Sequence, residues 1–457
     1  MKKWMTGVAA VAVLAGVAAL VTVLEHRPEW TTSSPRALAE FNAAMDAQMK
    51  VYASDAKRHL ERALSLDPNF VMARFLLYED TNPATPAQRK RFEAFVAHID
   101  LSRLTPRERF MIEMTRAMRE GRSAEADRIP DRYLSHHPRD PFALNAKGGI
   151  LWRRGKLDEA KQLFLRLIKV APNWVIAYNQ LGYIAMERGR FAKSEDYFKT
   201  YGFIAPDQAN PHDSLGELYM LTGRYRQALR EFERAITIKP DFCASYVHMA
   251  MTHLLMGAPD QARADAAAAG KDGRCAADER AILDCFVTLW PLEQAHRWHD
   301  IIRTARSHGC DTDIAPLSST MVSLDRAAAF SGDRGAAKAF EVRTERMLEK
   351  VKGSPSECHV RGVLDHMVAM RLAAAGRYLA AAKRLRAADT VLPYRGATVG
   401  LFKLMTRLEL AETLQAAGRP TEAAAVIADV RKVNPSMARA FITGRLRPLG
   451  LQEHPSP

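Results

Sequence analysis

The chain has 457 residues, more than one compact domain usually needs, and its 47% hydrophobic content excludes a disordered chain. Its net charge of +14 is spread along the whole length, with acidic residues in nearly every segment. This gives a general attraction to anionic surfaces, but no nucleic-acid-binding motif accompanies it, and nucleic acid is not an expected partner.

Lys2 and Lys3 precede an uncharged, mostly apolar run of 20 residues from Met5 to Leu24. As a helix this run matches the hydrocarbon core of a bilayer, and the lysines ahead of it place the amino terminus inside. Residues 1–24 are therefore expected to be a transmembrane anchor, with a secretory signal cleaved near Val17, Ala18 and Ala19 as the alternative. Residues 25–36, with Pro28 and Pro35, read as a short linker.

From Ala37 to Pro68 the spacing predicts an atypical first helix pair, whose second helix carries Ala56, Leu60, Ala63 and Leu64 on one face. Asn69 to Arg91 departs from this pattern, and Pro83 and Pro86 mark a loop. Between Leu104 and Pro138 a regular register begins, although Pro130 is expected to kink or shorten the second helix of that pair.

The register is strict from Pro141 to Asp241, in units 141–174, 175–208 and 209–242. Every 34 residues Gly148, Gly182 and Gly216 recur, as do Gly155, Gly189 and Gly223, and then Pro172, Pro206 and Pro240. Ala160, Ser194 and Ala228 hold one further phase and Phe164, Phe198 and Phe232 another. This pattern resembles the tetratricopeptide repeat. The resemblance implies an all-α, right-handed solenoid of antiparallel helix pairs, in which the first Gly lets its helix approach the small Ala or Ser of the second. The second Gly supplies a positive φ at a helix end, and the Pro marks the unit boundary.

The repeat continues in degraded form to Lys271, which closes an N-terminal array over residues 37–271. Residues 272–361 read as helical without a clean repeat, 362–437 as further repeat-like units around Gly376 and Gly418, and 438–457 as a capping helix and tail. The run Leu104–Arg122 also resembles the start of repeat arrays attached to bacterial signalling proteins, but no DNA-binding or kinase effector is expected here.

Five cysteines lie at 243, 275, 285, 310 and 358. Without CxxC spacing they are read as buried thiols, with one or two disulfides open if the compartment is oxidising. His296 and His299, on one expected helix face beside Asp300, and Cys358 next to His359, are the nearest approach to metal ligands. No second pair completes either, so no metal, cofactor or catalytic group is expected.

The tetratricopeptide resemblance implies a concave surface lined by the first helix of each unit. Its inward stripe comprises Phe142, Asn145 and Trp152, then Ile176, Asn179, Tyr183 and Met186, then Asn210, Asp213, Glu217 and Met220, with Gly149 between the residues of the first unit. Asn145 and Asn179 share a phase, with Asp213 following, and resemble an asparagine ladder that holds an extended peptide backbone; hydrogen bonding within the scaffold is the alternative. The expected function is a bacterial inner-membrane scaffold, facing the periplasm, that binds a protein or peptide. The alternative is a sensor or regulatory subunit passing a ligand signal to a separate membrane enzyme or kinase. Neither the partner nor the oligomeric state is set by the sequence.

Overall fold

Proline and glycine punctuate the helices as their backbone chemistry requires. Ser34 caps the first helix with Pro35 in its first turn, and Thr105 and Glu108 form a reciprocal capping box around Pro106. Gly155, Gly189 and Gly223 take φ of 72°, 69° and 75° just past helix ends, where an L side chain is strained. The computed structural model describes residues 29–80, 86–311, 319–352 and 357–451, and among these no strand occurs. Contacts divide the chain into two units, up to Ala143 and from Leu144 onward.

The first unit contains α1 (Pro35–Met49), α2 (Ala53–Leu66), α3 (Val71–Asp80), α4 (Pro86–Ala97), α5 (Pro106–Arg119) and α6 (Ser123–His136), and the boundary falls in the first turn of α7 (Pro141–Arg153). Its core gathers Phe41, Leu60, Phe70, Phe75, Phe92 and Ile112. The segment expected as a linker is docked here from residue 30 on. Trp30 is buried edge-on to Phe41 at 4.9 Å, and the Thr31 amide and hydroxyl both donate to the Glu108 carboxylate. An apolar ring that finds a pocket overrides the loop preference of its Pro-rich flanks. Nor does Pro130 shorten its helix: α6 spans 14 residues, with Pro130 buried inside it.

The second unit continues as helix pairs: α8 (Leu157–Val170), α9 (Ile176–Glu187), α10 (Phe191–Ile204), α11 (Ala209–Leu221), α12 (Tyr225–Ile238), α13 (Cys243–Leu255) and α14 (Pro259–Gly270). The region read as helical without a clean repeat forms α15 (Ala277–Gln294), α16 (Trp298–Ser307), α17 (Ser319–Phe330) and α18 (Arg334–Lys350). Then follow α19 (Glu357–Ala374), α20 (Tyr378–Val391), α21 (Gly396–Ala416), α22 (Pro420–Val433) and α23 (Pro435–Ile442).

Helix α21 is buried around nearly its whole circumference, its polar Lys403, Glu409 and Glu412 included, and it packs on α11. Leu221 of α11 fills the space over Gly400, where a Cβ would lie 2.8 Å from its Cδ1. Asn434 locks the same junction by donating to the Leu221 carbonyl at 3.1 Å, and Ser436 donates to the Gly223 carbonyl at 2.8 Å. The second unit thus closes on its own repeats, which an array read as open does not anticipate.

Four of the five cysteines are paired, in place of the expected buried thiols. Cys243 bonds Cys275, tying the start of α13 to the approach to α15, and Cys285 bonds Cys310, tying α15 to the end of α16. Cys358 is exposed and belongs to neither disulfide. The anchor expected over Met5–Leu24 lies outside the described residues; among the described residues no helix is long and apolar enough to cross a membrane.

One repeat contact differs from expectation. The space beside Gly148, Gly182 and Gly216 is taken by the ring edges of Phe164, Phe198 and Phe232, not by Ala160, Ser194 or Ala228. A Cβ at Gly182 would sit 2.3 Å from the Phe198 ring, which is fully buried. Gly182→Ala is therefore expected to cost about 1–3 kcal/mol through overpacking. Gly149→Ala, whose Cβ meets nothing nearer than Arg153 at 3.5 Å, is expected to be neutral or stabilising by up to about 1 kcal/mol. Urea denaturation midpoints of the two variants check the contrast; equal losses would refute the ring-edge account.

Candidate functional site

The inward stripe divides into positions that stay available and positions the fold consumes. Phe142 belongs to the first unit, where the Arg107 guanidinium lies 4.8 Å from its ring and Trp30 meets it edge-on at 5.6 Å. In the second unit Asn145, Trp152, Ile176, Tyr183 and Glu217 are half-buried, while Asn179, Met186, Asn210, Asp213 and Met220 are buried.

Asn145 and Asn179 present buried Oδ1 acceptors with no hydrogen-bond partner. Beside them Trp152 and Tyr183 stack with centroids 6.4 Å apart, and Trp152 donates its indole N–H to Glu187 at 2.9 Å. The third rung is different. Asn210 donates to the Tyr201 hydroxyl at 3.1 Å, and Asp213 accepts from Ser245 at 2.7 Å and from His248 at 3.0 Å. Met186 and Met220 are fully buried in the cluster that contains Leu401, Leu404 and Met405 of α21. At Met186 and Met220 the expectation of an open surface is corrected, because the returning α21 covers them.

Family models of the tetratricopeptide repeat match residues 115–173, 145–209 and 211–242. Residues 115–209 and 211–242 carry tetratricopeptide repeats. Such repeats generally mediate protein–protein interactions. No curated protein matches the chain. Among solved structures, MamA from Desulfovibrio magneticus RS-1 is 19% identical, over 35% of this chain and 90% of its own, with a TM-score of 0.31. A tetratricopeptide-repeat protein from Parabacteroides merdae is 16% identical, over 64% of this chain and 98% of its own, with a TM-score of 0.37. The Cut9–Hcn1 hetero-tetramer of the APC/C is 16% identical, over 89% of this chain and 75% of the matched chain, with a TM-score of 0.46.

The same repeats hold a compact set of ionisable groups. His248 of α13 contacts Asp213 through Nδ1 at 3.0 Å and Glu217 through Nε2 at 3.3 Å, and Glu217 also accepts from the Ala397 amide of α21 at 2.9 Å. Burial alone would lower the His248 pKa, but the two carboxylates outweigh it and raise it to about 9. Burial pushes Glu217 up against the pull of His248. At neutral pH we therefore assign an imidazolium between two acids. These three atoms lie close enough to hold a metal ion, yet both ring nitrogens already face carboxylates, and the charge is compensated without one. Cys243, Cys275 and Glu279 also cluster, but both sulfurs are spent in the disulfide.

One of the other histidines considered as a ligand, His296, is structural. His296 is not on a helix face with His299: it takes φ of 52° between α15 and α16 and donates through Nε2 to the Arg447 carbonyl at 2.7 Å. Asp300 pairs with Arg297 and Arg303. A second buried set went unseen in the sequence because its members are far apart. Arg326 of α17 pairs with Glu293 of α15 and Glu409 of α21, and Glu409 also meets His366 of α19 at 2.7 Å. Burial would raise Glu409, but Arg326 and His366 hold it below its ordinary value. Neither set presents a nucleophile beside a free base.

The His248 assignment has a signed consequence. A folded pKa raised from 6.5 to about 9 contributes stability that is full below pH 6.5 and is lost as pH rises through 9. The loss between pH 6.5 and 9.5 is expected to be on the order of 3 kcal/mol. His248→Asn should be less stable than wild type at pH 6.5 and lack that slope. Denaturation midpoints across this range provide the check, and a wild-type profile as flat as the variant's would refute the imidazolium.

Proposed function

We propose that the chain is a non-catalytic scaffold that receives a peptide, or an extended segment of a partner protein, on α7 and α9. The observation that carries this reading is the pair of unpartnered Oδ1 acceptors of Asn145 and Asn179, at one phase of successive repeats. Buried acceptors left unmatched cost free energy, and backbone N–H groups of an extended peptide supply the missing donors without regard to its sequence. Trp152 and Tyr183 offer an aromatic anchor beside those rungs, with Ile176 on the same face. The reading without chemistry draws support from the general behaviour of such repeats and from the internal pairing of Asp213, Glu217 and His248.

We further infer that the array faces an oxidising compartment, the periplasm, with Met5–Leu24 as its anchor. The two disulfides support this placement, since cytosolic thiols are kept reduced.

A photo-crosslinker at Tyr183 in intact membranes should capture one defined partner. Asn145→Ala combined with Asn179→Ala should weaken that capture about tenfold or more, equivalent to about 1.4 kcal/mol or above. A crosslinker at exposed Glu233 on α12 should capture nothing comparable. Equal capture from both faces, or none from Tyr183, would refute the groove. For the compartment, four of the five cysteines in acid-trapped protein should resist alkylation until reductant is added. Alkylation of all five without reductant would refute the oxidising placement.

A further inference from the structure

A cavity of about 130 Å³ lies within the second unit, between α13, α15, α17, α19 and α21. Its wall is apolar, made chiefly by Leu255, Phe286, Trp290, Val363, Phe402 and Met405. A space of this order is large enough for a benzene-sized molecule. Thr398 is exposed and also lines it, so the cavity reaches the surface there.

The lining also carries polar groups. Arg326, 3% exposed, spends its two terminal nitrogens on Glu293 and Glu409, while its Nε–H has no partner. His359 lines the same cavity with a buried Nδ1 that is also unmatched. Burial, and then the charge of Arg395, lowers the His359 pKa and keeps that ring neutral, able to donate or accept. The Nε–H can only donate. A ligand must therefore bring an acceptor oxygen to these groups and apolar carbon to the rest.

The charge of that ligand follows from the neighbours. Arg326 already faces two carboxylates, and Glu293 is further engaged by the Ser323 hydroxyl at 2.6 Å. A third carboxylate at this guanidinium would meet net repulsion in a poorly solvated site. An uncharged carbonyl or hydroxyl meets none and satisfies the orphan donor.

We propose that this cavity is a binding site for a small, uncharged, apolar molecule with a single carbonyl or hydroxyl oxygen, seated with the oxygen toward Arg326 and His359. The site is separate from the groove on α7 and α9, and its test does not depend on the partner.

The probes are 2-hexanone, 1-hexanol and hexanoate, titrated into the full chain in detergent. The two uncharged probes should raise the melting temperature saturably and change Trp290 emission, and hexanoate should bind at least tenfold more weakly. Trp290→Phe should abolish the emission change while the other five tryptophans leave no saturable signal. Val399→Phe, at a half-buried lining position, should fill the cavity and remove binding with helical content unchanged. Should that variant fail to fold, His359→Leu serves instead, with an expected five- to tenfold loss for the uncharged probes. The proposal is overturned by no saturable effect of either uncharged probe, which would leave water alone at Arg326 and His359. Hexanoate binding as tightly as 2-hexanone, or undiminished binding in a folded Val399→Phe or His359→Leu variant, would overturn it equally.

Discussion

The second unit depends on the packing of α21 against α11. A helix pair of this type is apolar on more than one face, and its inner face must be covered by a partner or by the chain itself. Here the chain supplies the cover. Leu221 seats over Gly400, the Ala397 amide meets Glu217, and Asn434 and Ser436 satisfy carbonyls at the end of α11. Gly400 matters because any side chain there would push α21 away from Leu221, loosening the apolar contacts and stretching the Glu217 bond together.

Closing the interior creates an electrostatic problem, since the inner face carries acids. Ions removed from water persist only in compensated groups, and each group here joins several helices. Asp213 and Glu217 of α11 share His248 of α13, while Glu293, Glu409 and His366 gather around Arg326. Glu412 is met by the Leu449 and Leu451 amides, which draws residues 449–451 onto α21. Lys403 of α21 is held by the Leu392 carbonyl at 2.7 Å. Such contacts contribute less to net stability than their number suggests. What they enforce is alignment, because a shift of one helix strands a charge.

The repeat phase was legible because local chemistry dictates it. Gly155, Gly189 and Gly223 occupy the left-handed positions that their spacing indicated. What could not be read was long-range. Nothing near Asp213 in the chain announces Ser245, His248 or Ala397, and nothing near Arg326 announces Glu409. Residues 396–416 carry Lys403, Glu409 and Glu412 among their apolar residues, so their sequence does not announce a helix buried on nearly every side. Trp30 shows the same limit: its prolines suggest a linker, and only the pocket beside Phe41 explains its burial. Cysteine pairing, too, is a property of the folded neighbourhood rather than of spacing.

The division of the inward stripe bears on how the two proposed sites relate. The groove reaches α21 through Glu187, which joins Trp152 to Arg395 immediately before that helix, at 2.7 Å on the arginine side. The cavity reaches α21 through Leu401, Phe402 and Met405. One helix therefore carries a wall of the small-molecule site and, at its first turn, a tether to the peptide face. Coupling between sites requires an element whose placement both ligands prefer to alter. A ligand that leaves α21 where it stands changes nothing at Asn145 and Asn179, however tightly it binds. A ligand that draws α21 toward Arg326 pulls on Arg395 and Glu187, and by linkage the partner alters affinity for the cavity by the same factor. Both proposed sites thus meet at α21, and coupling between them would require that helix to move.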